Sequence, residues 1–168
     1  MKTHLKSAIA LLGLLAALPA SASSWYFMSI GTSETRYFFD GDTVVKGTDK
    51  TVTLWVKSVQ TRKADPGGAW AKALRWKVDC ANLTFQTLGS STYDREGAFL
   101  ASQSTKGDVV LAAPESVGEG IIQIACQSNF PNDTSKAHYF KLGNNDVFQT
   151  TRSYTETFLD VKKDPAPK

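Results

Sequence analysis

Few side chains in this sequence could carry out nucleophilic chemistry. Of the two histidines, only His138 lies beyond the first 22 residues, and it stands beside Tyr139 and Phe140 in a setting typical of a strand. A serine or cysteine nucleophile needs a base nearby, and no Gly-x-Ser-x-Gly sequence accompanies this histidine. Neither a phosphate-binding glycine motif nor a recognisable pair of catalytic carboxylates is present. The sequence therefore predicts no catalytic residue and a protein that is not an enzyme.

The sequence also lacks the set of ligands that a metal site would need. Structural zinc usually takes four ligands, whereas His138 adds one nitrogen to the sulfurs of Cys80 and Cys126, and the three residues are far apart in the chain. We therefore expect no metal site and no cofactor. A haem carrier is kept as an alternative, with His138, Met28 or a tyrosine as the axial ligand.

The first 22 residues differ in kind from the rest. They contain no aromatic and no acidic residue, and Lys2 and Lys6 precede an apolar run over 8–18 and small residues at 20–22. This pattern is typical of a secretory signal peptide that is cleaved after Ala22. The alternative is an uncleaved membrane anchor, although eleven apolar residues fall short of the roughly 20 that a bilayer requires.

The residues that follow the signal are nearly neutral. Removing two of the 19 basic residues leaves 17 against 16 acidic ones, so the formal charge falls from +3 to +1 and no nucleic-acid partner is expected. No later segment approaches the roughly 18 apolar residues of a membrane span. No cysteine stands beside the cleavage site, which argues against a lipoprotein. We expect a protein of the periplasm or the extracellular space.

Cys80 and Cys126 are an even pair in a compartment that we expect to be oxidising. Such a pair usually forms a bridge, and two cysteines allow one intramolecular connectivity. A bridge between two chains and a pair of free buried thiols are the alternatives.

Alternating apolar residues indicate β-strands through the first part of this domain. From residue 51 to 59 the alternation places Val52, Leu54 and Val56 on one face and Trp55 on the other. We expect strands at residues 25–30, 37–40, 51–59, 72–80, 83–88 and 98–103.

Turn residues separate these segments. Gly41 and Asp42 follow the second segment, residues 65–68 should form the tip of a long hairpin, and polar residues between 90 and 97 follow the fifth. Short strands joined by turns favour an antiparallel meander.

A capping box marks the start of a helix. Ser116 and Glu119 stand three residues apart, the spacing at which each side chain can accept a hydrogen bond from a backbone N–H at the helix start. We therefore expect a helix over residues 117–127. The apolar alternation between 122 and 126 leaves a strand as the alternative.

A second helix is expected near the end of the chain. A strand-like segment at 138–140 precedes a second cap at 144–146, from which the helix should run to about Val161. Residues 162–168 should be a disordered tail. The apolar stripe of this helix consists of Val147, Thr151, Tyr154 and Phe158.

Four residues are candidate ligand contacts. Trp55 either packs under a second layer or presents an aromatic surface to a ligand. Arg62 and Lys63, near the hairpin tip, form with Trp70 a basic and aromatic projection that could contact an acidic or glycan partner. The alternative for this projection is an ordinary solvated loop.

An ordered set of residues runs from the start of the domain to the second cysteine. It consists of Trp25, Phe39-Asp40, Leu54-Trp55, Lys77, Asp79-Cys80, Tyr93, Pro114, Ser116, Gly118, Glu119 and Cys126. In this order the set resembles the bacterial surface-adhesin protein E family. The most specific part is the Pro-x-Ser-x-Gly-Glu run, which ends seven residues before the second cysteine.

The resemblance implies an α+β fold with a curved antiparallel sheet of about six strands. A disulfide would hold a helix on the concave face of that sheet, and Cys80 and Cys126 are the residues that would form it. We expect a signal peptide over 1–22 and a single domain over 23–161. This domain would divide into a core over 25–127 and an extension over 128–161 that contains the second helix.

The resemblance also implies a function. The best-known members are surface adhesins that bind matrix and plasma proteins such as laminin, vitronectin and plasminogen, and they have been linked to haem. We expect a non-catalytic binding module with a protein or glycan partner, and we consider a homodimer. The alternative is an envelope protein with a structural or regulatory role that binds a protein partner through a free sheet edge or the helix after Asn145.

Overall fold

The computed structural model describes residues 23–28, 34–131, 139–142 and 146–155 of the chain. The expected signal peptide, His138, the end of the second helix and the tail lie outside these described residues.

One antiparallel sheet and two helices make up the described fold. The elements are, in chain order, β1 (Trp25–Met28), β2 (Thr35–Lys46), β3 (Thr51–Gln60), β4 (Ala71–Asp79), β5 (Thr84–Tyr93), β6 (Phe99–Gln103), β7 (Val109–Leu111), α1 (Val117–Ala125), β8 (Tyr139–Lys141) and α2 (Val147–Tyr154).

Seven strands lie side by side in the order β6-β5-β4-β3-β2-β1-β8. Strand β7 shares the outer side of β5 with β6, because β6 pairs with Ser90–Tyr93 and β7 pairs with Thr84–Gln86. The structure confirms an antiparallel sheet accompanied by two helices. It adds β7, which was not expected from the sequence.

Strand β2 continues past the expected turn at Gly41 and Asp42. A β-bulge between Asp40 and Val45 takes up the extra residues, and the strand then pairs with β3 again. Gly41 is needed for a close approach, because a Cβ at this position would overlap the ring of Tyr26. The expected turn at this position was therefore wrong.

Strand β5 also runs further than expected, to Tyr93. The turn that ends it is formed around Asp94, whose carboxylate accepts the backbone N–H groups of Glu96 at 3.0 Å and Ala98 at 2.7 Å. Such a side chain satisfies the backbone of a tight turn locally. The expected strand end at residue 88 was wrong.

One face of the sheet, called here the first face, carries the larger core. Val52, Leu54 and Val56 of β3 are buried on it, as their alternation predicts. Helix α1 packs into the same cluster. The buried residues of the first face are Met28, Phe39, Val52, Leu54, Val56, Trp76, Val78, Ile121, Ile122, Ile124, Ala125, Phe130 and Tyr139.

Ser116 caps α1 and so favours the helix over the strand. Its Oγ accepts the backbone N–H of Glu119 at 3.2 Å. The Glu119 carboxylate accepts the N–H of Glu115 at 2.6 Å, whereas the N–H of Ser116 donates to the carbonyl of Ala113 at 3.2 Å. The glutamate thus reaches one residue further back than in the usual capping box.

A disulfide joins Cys80 to Cys126 within the chain, with the two Cα atoms 5.6 Å apart. Cys80 is the first residue after β4, and Cys126 is the C-cap of α1. The bridge therefore fastens the end of the helix to the end of a strand inside the sheet. The intramolecular bridge is confirmed, and neither cysteine is free.

The opposite face, called here the second face, has a smaller core. Successive strand residues point to opposite faces, so Phe38 lies on this face while Phe39 lies on the first. Asp146 caps α2 by accepting the N–H groups of Phe148 at 2.6 Å and Gln149 at 2.9 Å. The buried residues of the second face are Phe38, Val59, Ala71, Leu142 and Val147, the last from α2.

Candidate functional site

The four candidate ligand contacts do not form one site. Arg62, Lys63 and Trp70 lie in the connection between β3 and β4, whereas Trp55 lies near the middle of β3. Trp70 is joined to Gln60 by a backbone hydrogen bond of 2.8 Å. Five residues of extended chain separate Gln60 from Trp55, which is about 17 Å at the usual rise of a strand. The structure therefore separates Trp55 from the other three residues.

The connection between β3 and β4 presents a basic surface. Arg62 and Lys63 are exposed. Trp70 is half-buried, and the guanidinium carbon of Arg95 lies 5.0 Å from the centre of its ring. A cation over an aromatic face is attracted by the ring quadrupole, so Trp70 already has a partner within the chain.

Asp65 shapes the tip of this hairpin. Its carboxylate accepts the backbone N–H of Ala69 at 2.9 Å, and this hydrogen bond lowers the pKa of Asp65 below its usual value. The ammonium of Lys72 lies 3.4 Å from the same carboxylate. The expected turn at residues 65–68 is thus held by local polar contacts.

Trp55 lines a cleft of about 340 Å³ on the second face. Trp25 and Tyr93 contribute further aromatic walls, and Thr43 and Ser91 contribute hydroxyl groups. Trp55 is half-buried, so part of its ring is available to this cleft. Aromatic walls with a few polar groups are the usual lining of a small-ligand site.

Lys57 also lines this cleft, with its ammonium among aromatic rings. The Nζ atom lies 4.4 Å from the ring centre of Trp25, 4.6 Å from that of Tyr93 and 5.6 Å from that of Phe148. Lys57 is only 8% exposed, and burial lowers the pKa of its amine. Burial likewise raises the pKa of the neighbouring Asp40 carboxyl. The rings stabilise a charge that desolvation disfavours.

The most exposed apolar part of the described chain is the edge segment, defined as residues 98–111. Seven large apolar side chains are exposed in the described residues, and five of them lie in this segment. Soluble monomers rarely leave such a cluster uncovered, which makes it a candidate interaction surface. The five are Phe99, Leu100, Val109, Val110 and Leu111.

The outer side of the edge segment has no partner strand in the described part of the chain. Both β6 and β7 pair only with β5. Residues 104–108 interrupt the edge, but Gly107 donates its N–H to the carbonyl of Thr87 and accepts from the side-chain amide of Gln86, both at 2.8 Å. The segment is therefore attached along its length and can offer its outer backbone groups to another extended chain.

Other kinds of site find little support in the described ranges. Within them, no group of three or more histidine, cysteine, aspartate or glutamate side chains could hold a metal ion. Met28 is fully buried in the first-face core, so it could reach a haem iron only if that core opened. Neither helix described here is long and apolar enough to cross a membrane.

The sequence model of the family described as Surface-adhesin protein E matches residues 25–127, more than half of the chain. The chain belongs to the surface-adhesin protein E family. A crystal structure of protein E from non-typeable Haemophilus influenzae is 17% identical, covers 64% of this chain and 79% of that chain, and gives a TM-score of 0.45. Crystal form II of Haemophilus influenzae protein E is 17% identical, with coverages of 54% and 79% and a TM-score of 0.42. No curated protein matches the chain.

The surface-adhesin protein E match includes the edge segment and the disulfide, and it ends one residue after Cys126. Helix α2 lies wholly outside the matched segment. Phe148, whose ring contacts Lys57, therefore lies outside it too, whereas Lys57 lies inside. Sequence reasoning found β6 but missed β7. The available signal was the short apolar run Val109–Leu111, which is too brief to show a period.

Proposed function

We propose that this chain is an exported, non-catalytic adhesin that binds a macromolecular partner through the edge segment. Family membership supports adhesion as the class of function. The observation that carries the proposal is the concentration of five exposed apolar side chains on a sheet edge whose outer backbone has no partner strand in the described chain. An incoming extended segment would gain both main-chain hydrogen bonds and apolar contacts there.

The chemistry of the edge favours a protein partner over a glycan at this surface. Exposed aliphatic side chains such as Leu100 and Leu111 recognise apolar residues of a polypeptide, and the free backbone groups recognise a strand. The aromatic cleft beside Trp55 and the basic loop of Arg62 and Lys63 remain proposals for secondary contacts, including contacts with a glycan. We also propose the family arrangement in which α1 lies on the concave face of a curved sheet.

The test compares two substitutions of equal chemistry at two exposed apolar positions. Leu100→Lys places a charge in the edge segment, and Val45→Lys places the same charge on an exposed residue of β2. Exported protein, whose first residue should be Ser23, is titrated onto immobilised laminin, vitronectin and plasminogen in a surface plasmon resonance assay. Leu100→Lys should weaken binding about tenfold or more, because a buried charge at an interface centre is costly.

The control Val45→Lys should bind as the parent protein does. Equal affinity of the parent and Leu100→Lys would show that the partner does not occupy the edge segment. If the parent bound none of the three host proteins but was captured on components of the producing cell's own envelope, adhesion to the host would be refuted in favour of an envelope role. A parent dimer that Leu100→Lys dissociates would assign the edge to a second copy instead.

A further inference from the structure

A pocket of about 400 Å³ opens on the first face, where the start of α1 meets the sheet, and Val110 and Leu111 of the edge segment line part of it. Its lining is mainly apolar and includes Leu74 and Phe85 of the sheet and Ile121 of α1. Trp76 and Phe85 stack along it with ring centres 4.2 Å apart. A cavity of this size and lining is typical of a site for a small apolar molecule.

The space exists because small residues stand beside the pocket. Gly118 lies in the first turn of α1, and a Cβ at this position would come within 3.4 Å of the Phe85 ring and 3.9 Å of the Ala112 methyl. Alanine would therefore fit there, whereas a larger side chain would enter the pocket. The cavity is thus bounded by residues 112 and 118, at positions that can be filled without changing the sheet.

Trp76 supplies an unusual polar group to this lining. The residue is 6% exposed, and its indole N–H is buried with no hydrogen-bond acceptor in the described part of the chain. A buried donor without a partner destabilises the folded chain, because it has lost its hydrogen bond to water. Because Trp76 lines the pocket, an oxygen atom of a bound molecule that displaced the apolar neighbours of this N–H could accept its hydrogen bond.

Lys72 supplies the one charge among the residues that line the pocket. Its side chain is 44% exposed, which places the ammonium within reach of solvent, and its ion pair with Asp65 is 3.4 Å long. Lys72 and Trp76 stand four residues apart on β4 and face the same side of the sheet. At the rise of a strand their backbones are about 13 Å apart, roughly the length of a ten-carbon chain.

We propose that this pocket binds an amphipathic hydrocarbon acid that carries an oxygen acceptor near its other end, as a hydroxylated fatty acid does. The carboxylate pairs with Lys72 at the outer end, the chain lies against Leu74, Phe85 and Ile121, and the inner oxygen accepts from the Trp76 indole. The function goes beyond adhesion, and its test is distinct because Leu100, which tests the edge segment, does not line this pocket, although Val110 and Leu111 of that segment do.

The first experiment asks whether the pocket is the site. Delipidated protein is titrated with 12-hydroxydodecanoic acid in a calorimeter. Gly118→Leu, which fills the pocket, should abolish saturable binding, and Ala112→Leu should do the same from the other side. Gln123→Leu adds the same side chain at an exposed position of α1 and should bind as the parent does. Binding that survives both filling substitutions in folded protein would overturn the proposal.

The second experiment assigns the two ends of the ligand. The parent should prefer 12-hydroxydodecanoic acid over dodecanoic acid by about fivefold, the usual value of one neutral hydrogen bond, and Trp76→Phe should remove that preference. Lys72→Met should weaken the acid about tenfold while leaving dodecan-1-ol unchanged, because a charged contact is the stronger one. Lys77→Met, an exposed change on the same strand, is the matched control. A preference that persists in Trp76→Phe would contradict the role of the indole.

Discussion

The two faces of the sheet are stabilised in different ways, although neighbouring residues of the same strands build them. On the first face Phe39 packs against the rings of Tyr26 at 4.8 Å, Phe130 at 4.7 Å and Tyr139 at 5.2 Å between ring centres. On the second face Phe38 has one ring neighbour among the described contacts, Phe27 at 5.5 Å. The first face is therefore the better packed apolar core.

Buried residues of polar or charged type follow the opposite distribution. Among the described residues, five polar or charged side chains are buried, and all of them belong to the second face, to α2 or to its C-cap. Apolar burial needs no particular partner, whereas a buried charge needs compensation at a defined position. The first face therefore supplies most of the apolar burial, whereas the second face depends on specific contacts. The five are Arg36, Asp40, Lys57, Thr151 and Thr155.

Loss of the disulfide on the first face should lower the stability more than the loss of either helix cap. Replacing both cysteines, as Cys80→Ser with Cys126→Ser, should lower the free energy of unfolding by about 4 kcal/mol, because the bridge closes a loop across 46 positions of sequence and restricts the unfolded chain. Urea unfolding of the double variant gives this value. Reduced parent protein should lose the same amount, and the double variant should not respond to reductant. Equal stability of oxidised and reduced parent would refute the role of the bridge.

Removal of either helix cap, one on each face, should have a moderate effect on the free energy of unfolding. Ser116→Ala on α1 and Asp146→Ala on α2 should each lower the free energy of unfolding by about 1 kcal/mol. Asp146→Ala should lose more, because its carboxylate accepts two N–H groups and also favours the charge on Lys57.

The matched control for the caps is Ser153→Ala, which lies exposed on α2 and should change stability by less than about 0.5 kcal/mol. Urea titrations of the three variants rank them directly. If Asp146→Ala unfolded like the control, the Asp146 cap would contribute nothing measurable to stability.

The smallest effect is a pH dependence of the free energy of unfolding that arises from Lys57 on the second face. The folded pKa of Lys57 lies below its unfolded value of 10.5, so the unfolded chain binds more protons between these two values and stability rises with pH across that window. Lys57→Met should remove this rise. The groups around Lys57 are Asp40 of β2, Tyr93 of β5 and Asp146 at the start of α2.

Unfolding measured at several pH values up to 10.5 isolates this contribution as the difference between parent and variant. Lys77→Met, exposed on the same face, should leave the parent's slope intact. An unchanged slope in Lys57→Met would mean that the buried amine is not the source of the alkaline pH dependence.

The sequence predicted the features that depend on local chemistry. The three-residue spacing of Ser116 and Glu119 located the start of α1, and alternation assigned Val52, Leu54 and Val56 to a buried face. Both signals follow from backbone geometry and hold without knowledge of distant contacts.

The predictions that were wrong concern features that depend on contacts between residues distant in sequence. Gly41 was interpreted as a turn residue, but it accommodates the ring of Tyr26 on the neighbouring strand. Ser90 and Ser91 were interpreted as a turn, but they pair with β4 and β6 inside the sheet. Small and polar residues are common both in turns and where chains approach closely, so their type alone does not distinguish the two.

The candidate site was the least predictable part. Trp55 and the projection that contains Trp70 were separate candidates, and the sequence did not show that strand β3 keeps them about 17 Å apart. The partners of Lys57 come from β1, β5 and α2, which are widely spaced along the chain. Only the assembled sheet brings these rings together, and only the strand order shows that the edge segment is at the border.

The position of the disulfide divides the chain into a segment that the bridge anchors and a segment that other contacts hold. Its second half-cystine stands one residue before the end of the family-matched segment, so the last shared element is already anchored to the sheet. The chain after Gln127 is not held by this bridge: Phe130 and Tyr139 join the first-face core, and helix α2, which begins 20 residues later, reaches the other face. Loss of α2 would therefore uncover part of the second face while the bridge kept α1 attached to the sheet.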